Sequence, residues 1–250
     1  DLMVDASGAP RAHWQPFLKA LAGLGLDEIS RRFEAADRYM RDAGVFYRVY
    51  DGAQGRERPW PLSHVPVLID SEDWRQLSTA LIQRAELLDA VLRDAYGPAR
   101  LVRDGVVPAA AIAGSPEFLR PLVGTVPRGE RFLRIYAADL GRGPDGRWWV
   151  LSDRAQAPSG AGYALENRIA LSRALPESYR ALEIERLAAF FQSFRSSLSA
   201  LAGQGSTRVG LLTPGPFNET YFEHAYLARY LGFLLVEGED LKIVDDRVHL

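Results

Sequence analysis

The sequence contains no cysteine and very little lysine, and both absences restrict its chemistry. Without cysteine, disulfides and thiolate-bound metal sites are excluded. Lysine stands only at Lys19 and Lys242, so almost no lysine is available to grip a phosphate as a compact positive charge. The four histidines form no HxxxH-type pair, which argues against a zinc site.

Two further absences bear on partners. No apolar run approaches the length of a membrane span, so we expect no membrane partner and a cytoplasmic protein. The formal net charge of −2 over 250 residues argues against a nucleic acid as the main partner. The content of 47% hydrophobic and 25% charged residues is that of an ordinary globular protein.

Hydrophobic spacing predicts alternating helices and strands, which favours an α/β or α+β architecture. Helices are predicted in two parts of 11–44, at 71–96, at 115–122, from Gly162, from Pro176 to Gly203, and from an Asn218 cap to Gly232. Strands are predicted at 45–50, 65–70, 131–140, 147–153, 208–213, "FLLVE" and "LKIVDD", with a polar loop at 51–61. The apolar stripe of helix 71–96, which includes Trp74 and Leu77, is interpreted as core packing.

A hairpin within 131–154 concentrates acidic residues. A turn at Gly143-Pro144-Asp145-Gly146 folds the second strand back and places Asp139 opposite residues 150–152. We therefore expect the carboxylates of Asp139 and Asp153 within about 8 Å of each other. Oxygen ligands of this kind suit Mg²⁺. The alternative is that Asp139 ends a strand and Asp153 caps a loop, with Arg142 or Arg154 neutralising them.

The segment "APSGAGY" after the hairpin predicts a small-residue loop that leads into a helix. Because a helix N-terminus offers unpaired N–H groups, Ser159, Gly160 and Gly162 could let a phosphate or carboxylate approach the backbone. We expect Pro158–Gly162 to be exposed, with those N–H groups free of partners in the chain. The alternative is an ordinary Ser-Gly loop and helix cap.

A third motif is "NETYFEHAYLARYLG". Asn218 is predicted to cap a helix, with Glu219 in its first turn and Glu223 one turn further on the same side. By pattern alone this is a capped amphipathic helix. Together with Glu237 in "LVEGEDL", it could instead help to form a substrate or nucleotide cleft.

The stretch 139–168, with "RPWPL" and "VPVLI" upstream and "NETYFEHAYLARYLGFLLVEGEDL" downstream, resembles the circularly permuted ATP-grasp proteins of type 2. These were formerly called domains of unknown function and are similar to the synthetase domain of glutathionylspermidine synthase. The resemblance covers essentially the whole chain. It implies a permuted ATP-grasp-like fold, with mixed and antiparallel sheets flanked by helices, and ATP and Mg²⁺ as cofactors.

The resemblance also assigns roles to single residues. An aspartate and a Glu-x-Asn on the two hairpin strands carry Mg²⁺ in that family; Asp139 matches the aspartate, and Ser152-Asp153-Arg154 occupies the Glu-x-Asn positions. Ser152 and Arg154 depart from that pattern, so either a bulge near Asp153 restores the ligand or metal binding is weakened. The roles implied are metal binding for Asp139 and Asp153, catalysis for Arg154 and Ser159, and nucleotide binding for Arg142, Gly160, Gly162, Glu219 and Glu223.

The resemblance further implies how the chain is organised. Residues 1–115 would form a helical N-terminal region with short strands, and 116–250 an ATP-grasp-like part with the hairpin 131–154 and an α/β segment at 205–250. Because no suitable lysine precedes the hairpin, the phosphate-binding half is expected downstream of Leu250. The chain would then be an incomplete ATP-grasp, the N-terminal portion of a longer protein whose downstream part is its partner.

The function implied is part of an ATP-dependent ligase that joins a small-molecule or peptide carboxylate to an amine through an acyl phosphate. The alternative is a non-catalytic module of the same fold, in which the substituted Glu-x-Asn has lost turnover. A two-carboxylate hydrolase is a third option, but only scattered tryptophans could form a sugar-binding cleft.

Overall fold

A computed structural model of the chain describes residues 2–51, 54–201 and 208–250. They form two compact units: the hairpin unit, Ile69–Pro158, and the two-segment unit, Leu2–Leu68 with Ser159–Leu250. The predicted boundary at residue 115 separates two regions defined by the family resemblance, not by compactness. It stays a prediction. Within the described residues, no helix combines the length and apolar character that crossing a membrane requires.

Helices and small sheets confirm the predicted α/β class. The helices are α1 Gln15–Ala22, α2 Leu26–Asp42, α3 Ser71–Ala95, α4 Arg100–Arg103, α5 Ala109–Ala113, α6 Ala161–Ala174, α7 Pro176–Ala181, α8 Ala188–Ser199 and α9 Tyr221–Leu231. The strands are β1 Phe46–Asp51, β2 Gln54–Pro59, β3 Ala137–Arg142, β4 Trp148–Arg154, β5 Gly210–Leu212, β6 Leu234–Val236, β7 Lys242–Val244 and β8 Arg247–His249. The hairpins β1–β2, β3–β4 and β7–β8 are antiparallel, whereas β5 and β6 pair in parallel.

The two-segment unit joins helices from both of its chain segments around an aromatic-rich core. Helix α2 packs against α6, and α1 packs against α7. One cluster of buried side chains in this unit consists of Trp14, Phe17, Ala36, Met40, Val45, Tyr163, Ala170, Ala174 and Leu175. Trp60 stacks on Tyr163 with ring centroids 4.1 Å apart and donates its indole N–H to Asn167 at 2.8 Å. These contacts fix the start of α6, which follows the glycine-rich loop.

A β-α-β arrangement of β5, α9 and β6 lies in the same unit. Gly232, at φ +70°, ends α9, as its position after the apolar pattern predicts. The predicted Asn218 cap is wrong, because α9 begins at Tyr221 and Thr220 occupies the N-cap position. The Asn218 Oδ1 instead accepts the N–H and the hydroxyl of Thr220, each at 3.0 Å. An Asx turn thus competes successfully with the helix here.

In the hairpin unit, α3 begins where the sequence predicts. The Asp70 side chain accepts the backbone N–H of Asp73 at 2.8 Å and caps the helix. The interpretation of the apolar stripe as core packing holds for Leu77, which is buried, but not for Trp74, which is 45% exposed.

Several predicted boundaries need correction. The predicted loop at 51–61 contains β2, and the predicted strand at 65–70 is not formed; Pro66 there lacks a ladder donor. Strand β3 begins only at Ala137, and 115–122 contains a single 3₁₀ turn, Arg120–Leu122. The helix predicted from Pro176 divides into α7 and α8, and its predicted end at Gly203 lies outside the described residues.

Candidate functional site

The β3–β4 hairpin decides where the predicted metal ligands lie. Asp139 is opposite Ser152, as predicted, and Ala138 is opposite Asp153. The register shifts next to Asp139, so Leu151 is an extra, bulged residue on the turn side of this pair. Because directly opposite residues share a face and successive residues alternate, Asp139 and Asp153 lie on opposite faces of the hairpin.

The face that carries Asp139 is neutralised by arginine. The Arg154 Nε and Nη2 lie 3.1 and 3.0 Å from the Asp139 Oδ2. The Ser152 hydroxyl donates to the same oxygen. The hydrogen bond from Ser152, and then that from Arg154, lowers the pKa of Asp139 below its usual value, so this carboxylate is ionised at neutral pH.

The face that carries Asp153 is neutralised by a different arginine. Arg84, on α3, donates through Nε and Nη2 to the two carboxylate oxygens of Asp153, each at 2.6 Å. The Tyr136 hydroxyl donates to the Oδ1 at 2.6 Å. Arg84 first, and Tyr136 second, lower the pKa of Asp153 to about 2. Burial, reinforced by the carboxylate, raises the pKa of Tyr136 to about 12.

The structure therefore does not bring the two predicted metal ligands into one site. The bulge that the sequence allowed near Asp153 is present, at Leu151, but it leaves Asp153 opposite Ala138 and does not bring it to the face of Asp139. Among the described residues, no group of three or more His, Asp and Glu side chains could hold a metal ion. A Mg²⁺ shared by Asp139 and Asp153 does not fit this arrangement, because the two carboxylates lie on opposite faces of the hairpin and cannot both bind one ion.

Arg142, predicted to bind nucleotide, is engaged within the hairpin unit. Its Nη1 lies 2.9 Å from an Asp73 carboxylate oxygen, and its Nε donates to the Gly146 carbonyl at 2.9 Å. The guanidinium also lies over the Trp148 ring, 5.3 Å from the centroid. The Arg142 side chain is 16% exposed, so these contacts fasten the hairpin to α3. Its role in nucleotide binding stays a prediction.

The backbone N–H groups of the glycine loop bind a carboxylate of the same chain, that of Glu223. Gly160 donates its backbone N–H to both Glu223 oxygens at 2.8 Å, and Gly162 donates to the Oε1 at 2.7 Å. The prediction that these N–H groups are free is therefore wrong. A carboxylate from α9 takes the position that an external phosphate would need. Ser159 is exposed, but Gly162 is buried, so the loop is only partly accessible.

Glu223 is one of the most buried charged residues described, at 2% exposure. Burial raises its pKa, against the opposing effect of the two backbone hydrogen bonds. A Cβ placed on Gly162 would lie 3.0 Å from the Glu223 Cγ and 3.3 Å from Tyr226 Cδ1. Glycine is thus needed here because α6 and α9 approach closely.

The other two acids of the third motif have separate environments. Glu219 precedes α9 rather than lying in its first turn, and its carboxylate accepts the Tyr47 hydroxyl at 2.8 Å. Glu237 begins the 3₁₀ turn Gly238–Asp240, where its side chain and that of Asp240 form a capping box. Glu219 and Glu223 are therefore not a pair on one helix face, and their nucleotide roles stay predictions.

Sequence reasoning missed both partners of the Asp153 carboxylate, Arg84 and Tyr136. Arg84 lies 69 positions before its partner Asp153, among the exposed residues of α3. Tyr136 lies on the predicted first strand, but nothing in its spacing marks it as a partner of Asp153. The departures Ser152 and Arg154 did carry a signal, because both differ from the residues expected at a metal site.

Comparisons with known proteins agree with this reading of the motifs. Residues 66–250 match the family model described as circularly permuted ATP-grasp type 2. An uncharacterized protein of Synechocystis is 34% identical over 247 residues, which cover 98% of this chain and 51% of the relative. Two uncharacterized proteins of Mycobacterium tuberculosis are 33% and 34% identical, covering 100% and 99% of this chain but 45% and 29% of the relatives.

The chain thus spans about half the length of the first of these relatives. The family match itself extends from just before α3 to the last residue, and it includes both strands of the β3–β4 hairpin and all of α9. The chain belongs to the circularly permuted ATP-grasp type 2 family.

Proposed function

We propose that the chain is part of an ATP-dependent ligase that joins a carboxylate to an amine through an acyl phosphate. The observation that carries this proposal is the family match over residues 66–250. The substrates would be small-molecule or peptide carboxylates and amines. The working protein would include a downstream part of the same polypeptide and act in the cytoplasm. The likeness to the synthetase domain of glutathionylspermidine synthase stays a prediction.

The proposed reaction has two steps. The terminal phosphoryl group of ATP is transferred to a carboxylate oxygen, which gives ADP and an acyl phosphate. The amine nitrogen then attacks the acyl carbon, the carbon–oxygen bond to phosphate breaks, and inorganic phosphate leaves with loss of a proton from nitrogen. Both steps place negative charge on phosphoryl oxygens, and fixed cations stabilise such charge.

We assign to Arg154 the stabilisation of this negative charge on the phosphoryl oxygens. Its side chain is 54% exposed, and Asp139 orients the guanidinium by accepting from two of its nitrogens. Ser159 is exposed at the start of the glycine loop and is assigned to positioning the amine acceptor. No step is assigned to Mg²⁺, because the predicted ligands Asp139 and Asp153 do not share a face.

The second candidate is a non-catalytic module of the same fold. It is favoured by the neutralisation of the polar groups predicted to bind ligands: Arg154 on Asp139, Arg84 on Asp153, and Glu223 on the loop N–H groups. A group that already has a partner within the protein binds an external metal ion or phosphate less well, because that partner must first be displaced.

The experiment that separates the two candidates measures ADP formed by the full-length protein. ATP and Mg²⁺ are supplied with a pool of amino acids, a pool of polyamines, or both. The ligase predicts ADP release that requires a carboxylate and an amine together. Absence of substrate-dependent release by folded protein favours the binding module. Arg154→Met should lower any such release, while Arg147→Met, at an exposed arginine of the same hairpin, should not.

A further inference from the structure

The face of the hairpin that carries Asp139 also carries the guanidinium of Arg154. We propose that the guanidinium of Arg154, rather than a divalent cation, is the resident cation of Asp139, and that Asp139 is a positioning residue for Arg154. This inference rests on the contacts within the hairpin. It does not rest on the ligase reaction.

The strand register places Arg154 and Asp139 where they can bond to each other. Ala137 is opposite Arg154 and Asp139 is opposite Ser152, so all three polar side chains lie on one face. Two guanidinium nitrogens point at the Oδ2, and the Ser152 hydroxyl donates to the same atom. One carboxylate oxygen thus accepts three hydrogen bonds, two of them from a charged group.

A metal ion would have to compete with this arrangement. A divalent cation on the Oδ2 would displace three donors, or it would lie beside a guanidinium of the same sign of charge. Ser152 offers a neutral hydroxyl where the resemblance expects a glutamate, and Arg154 offers no acceptor atom at all.

The second acid of the hairpin cannot supply the missing ligand. Asp153 lies on the opposite face, where Arg84 uses both of its carboxylate oxygens and Tyr136 uses one of them again. Across the described ranges, no three acidic or histidine side chains lie close enough together to hold a metal ion. Each of the two aspartates is therefore paired with an arginine, Asp139 with Arg154 on one face and Asp153 with Arg84 on the other.

The experiment is a titration of the 250-residue chain with Mn²⁺, which replaces Mg²⁺ and whose free concentration is read by electron paramagnetic resonance. The wild type should show no saturable binding with Kd below about 1 mM. Ser152→Glu with Arg154→Asn restores two oxygen ligands and should bind at least about tenfold more tightly. Ser152→Glu with Arg147→Asn has the same net charge but keeps Arg154, and it should not gain a site.

Three results would overturn the inference. One is a single Mn²⁺ bound by the wild type and lost in Asp139→Asn. Another is an equal gain in Mn²⁺ affinity in the two double variants, since an equal gain would reflect net charge alone. If the first double variant fails to fold by circular dichroism, Arg154→Asn alone replaces it, and an affinity no higher than that of the wild type contradicts the proposal.

Discussion

The carboxylate of Glu223 lies against the backbone of Gly162, whose N–H donates to it at 2.7 Å where α9 packs on α6. The start of α6 carries a partial positive charge, and Glu223 satisfies it from inside the protein. The glycine-rich loop that suggests a phosphate site is therefore held by a carboxylate 61 residues further along the chain. Glu223 and Gly162 should behave as one structural unit.

The first prediction concerns the pH dependence of stability. Burial raises the pKa of Glu223 above 4.5 in the folded protein. The folded state then binds the proton more tightly than the unfolded state, so the stability from this group is present below pH 4.5 and lost as pH rises through the folded pKa. Against Glu223→Gln, which cannot ionise, the wild type should lose free energy of unfolding as the pH rises above 4.5. Urea unfolding at several pH values measures this; a difference that does not change with pH contradicts it.

The second prediction concerns the contact between α6 and α9. Gly162→Ala places a methyl group 3.0 Å from the Glu223 Cγ in a buried site, and it should destabilise the protein by about 1–3 kcal/mol. Gly238→Ala is the matched control, because a Cβ there meets no atom within 4 Å. Thermal unfolding of both variants decides the matter. Equal midpoints would show that α6 and α9 do not pack as described.

The third prediction tests the two faces of the hairpin. Arg84→Met should raise the pKa of Asp153 from about 2 towards 3.8 and leave that of Asp139 unchanged. Arg154→Met should do the reverse, raising the pKa of Asp139 alone. Each variant is the control for the other, and carboxyl carbon NMR reads both residues. If either substitution shifts both carboxylates, the two do not lie on separate faces.

The fourth prediction concerns Arg142. Its contact with Asp73 joins two side chains that are 16% and 21% exposed, so the pair is partly shielded from water. Arg142→Met and Asp73→Asn should each lower the free energy of unfolding, with a coupling energy of about 1 kcal/mol in the double variant. Chemical unfolding of the four proteins gives that coupling. Strictly additive effects would show that the ion pair between Arg142 and Asp73 does not stabilise the fold.

Local signals in the sequence predict the elements well. The start of helix α3 at Ser71, the turn at 143–146 and Gly232 after α9 each depend on residues close by, and the structure confirms all three. The same holds for the antiparallel pairing of β3 and β4 and for Asp139 opposite Ser152.

Contacts across long sequence separations were not predictable from the same signals. A bulge at Leu151 and a guanidinium from α3 decide which way Asp153 faces and what neutralises it. Likewise, the glycine loop gives no sign that Glu223 will fill it, because that contact depends on how α9 packs on α6. Candidate ligands can therefore be listed from sequence, while their partners depend on packing.

We propose that the full-length protein joins a carboxylate to an amine through an acyl phosphate. The most direct test supplies ATP and an amine pool with carboxylates labelled with oxygen-18, and analyses the released phosphate by mass spectrometry. In the proposed reaction the bridging oxygen of the acyl phosphate comes from the carboxylate and leaves with phosphate. We expect one labelled oxygen per phosphate formed. ADP formation with unlabelled phosphate would contradict it.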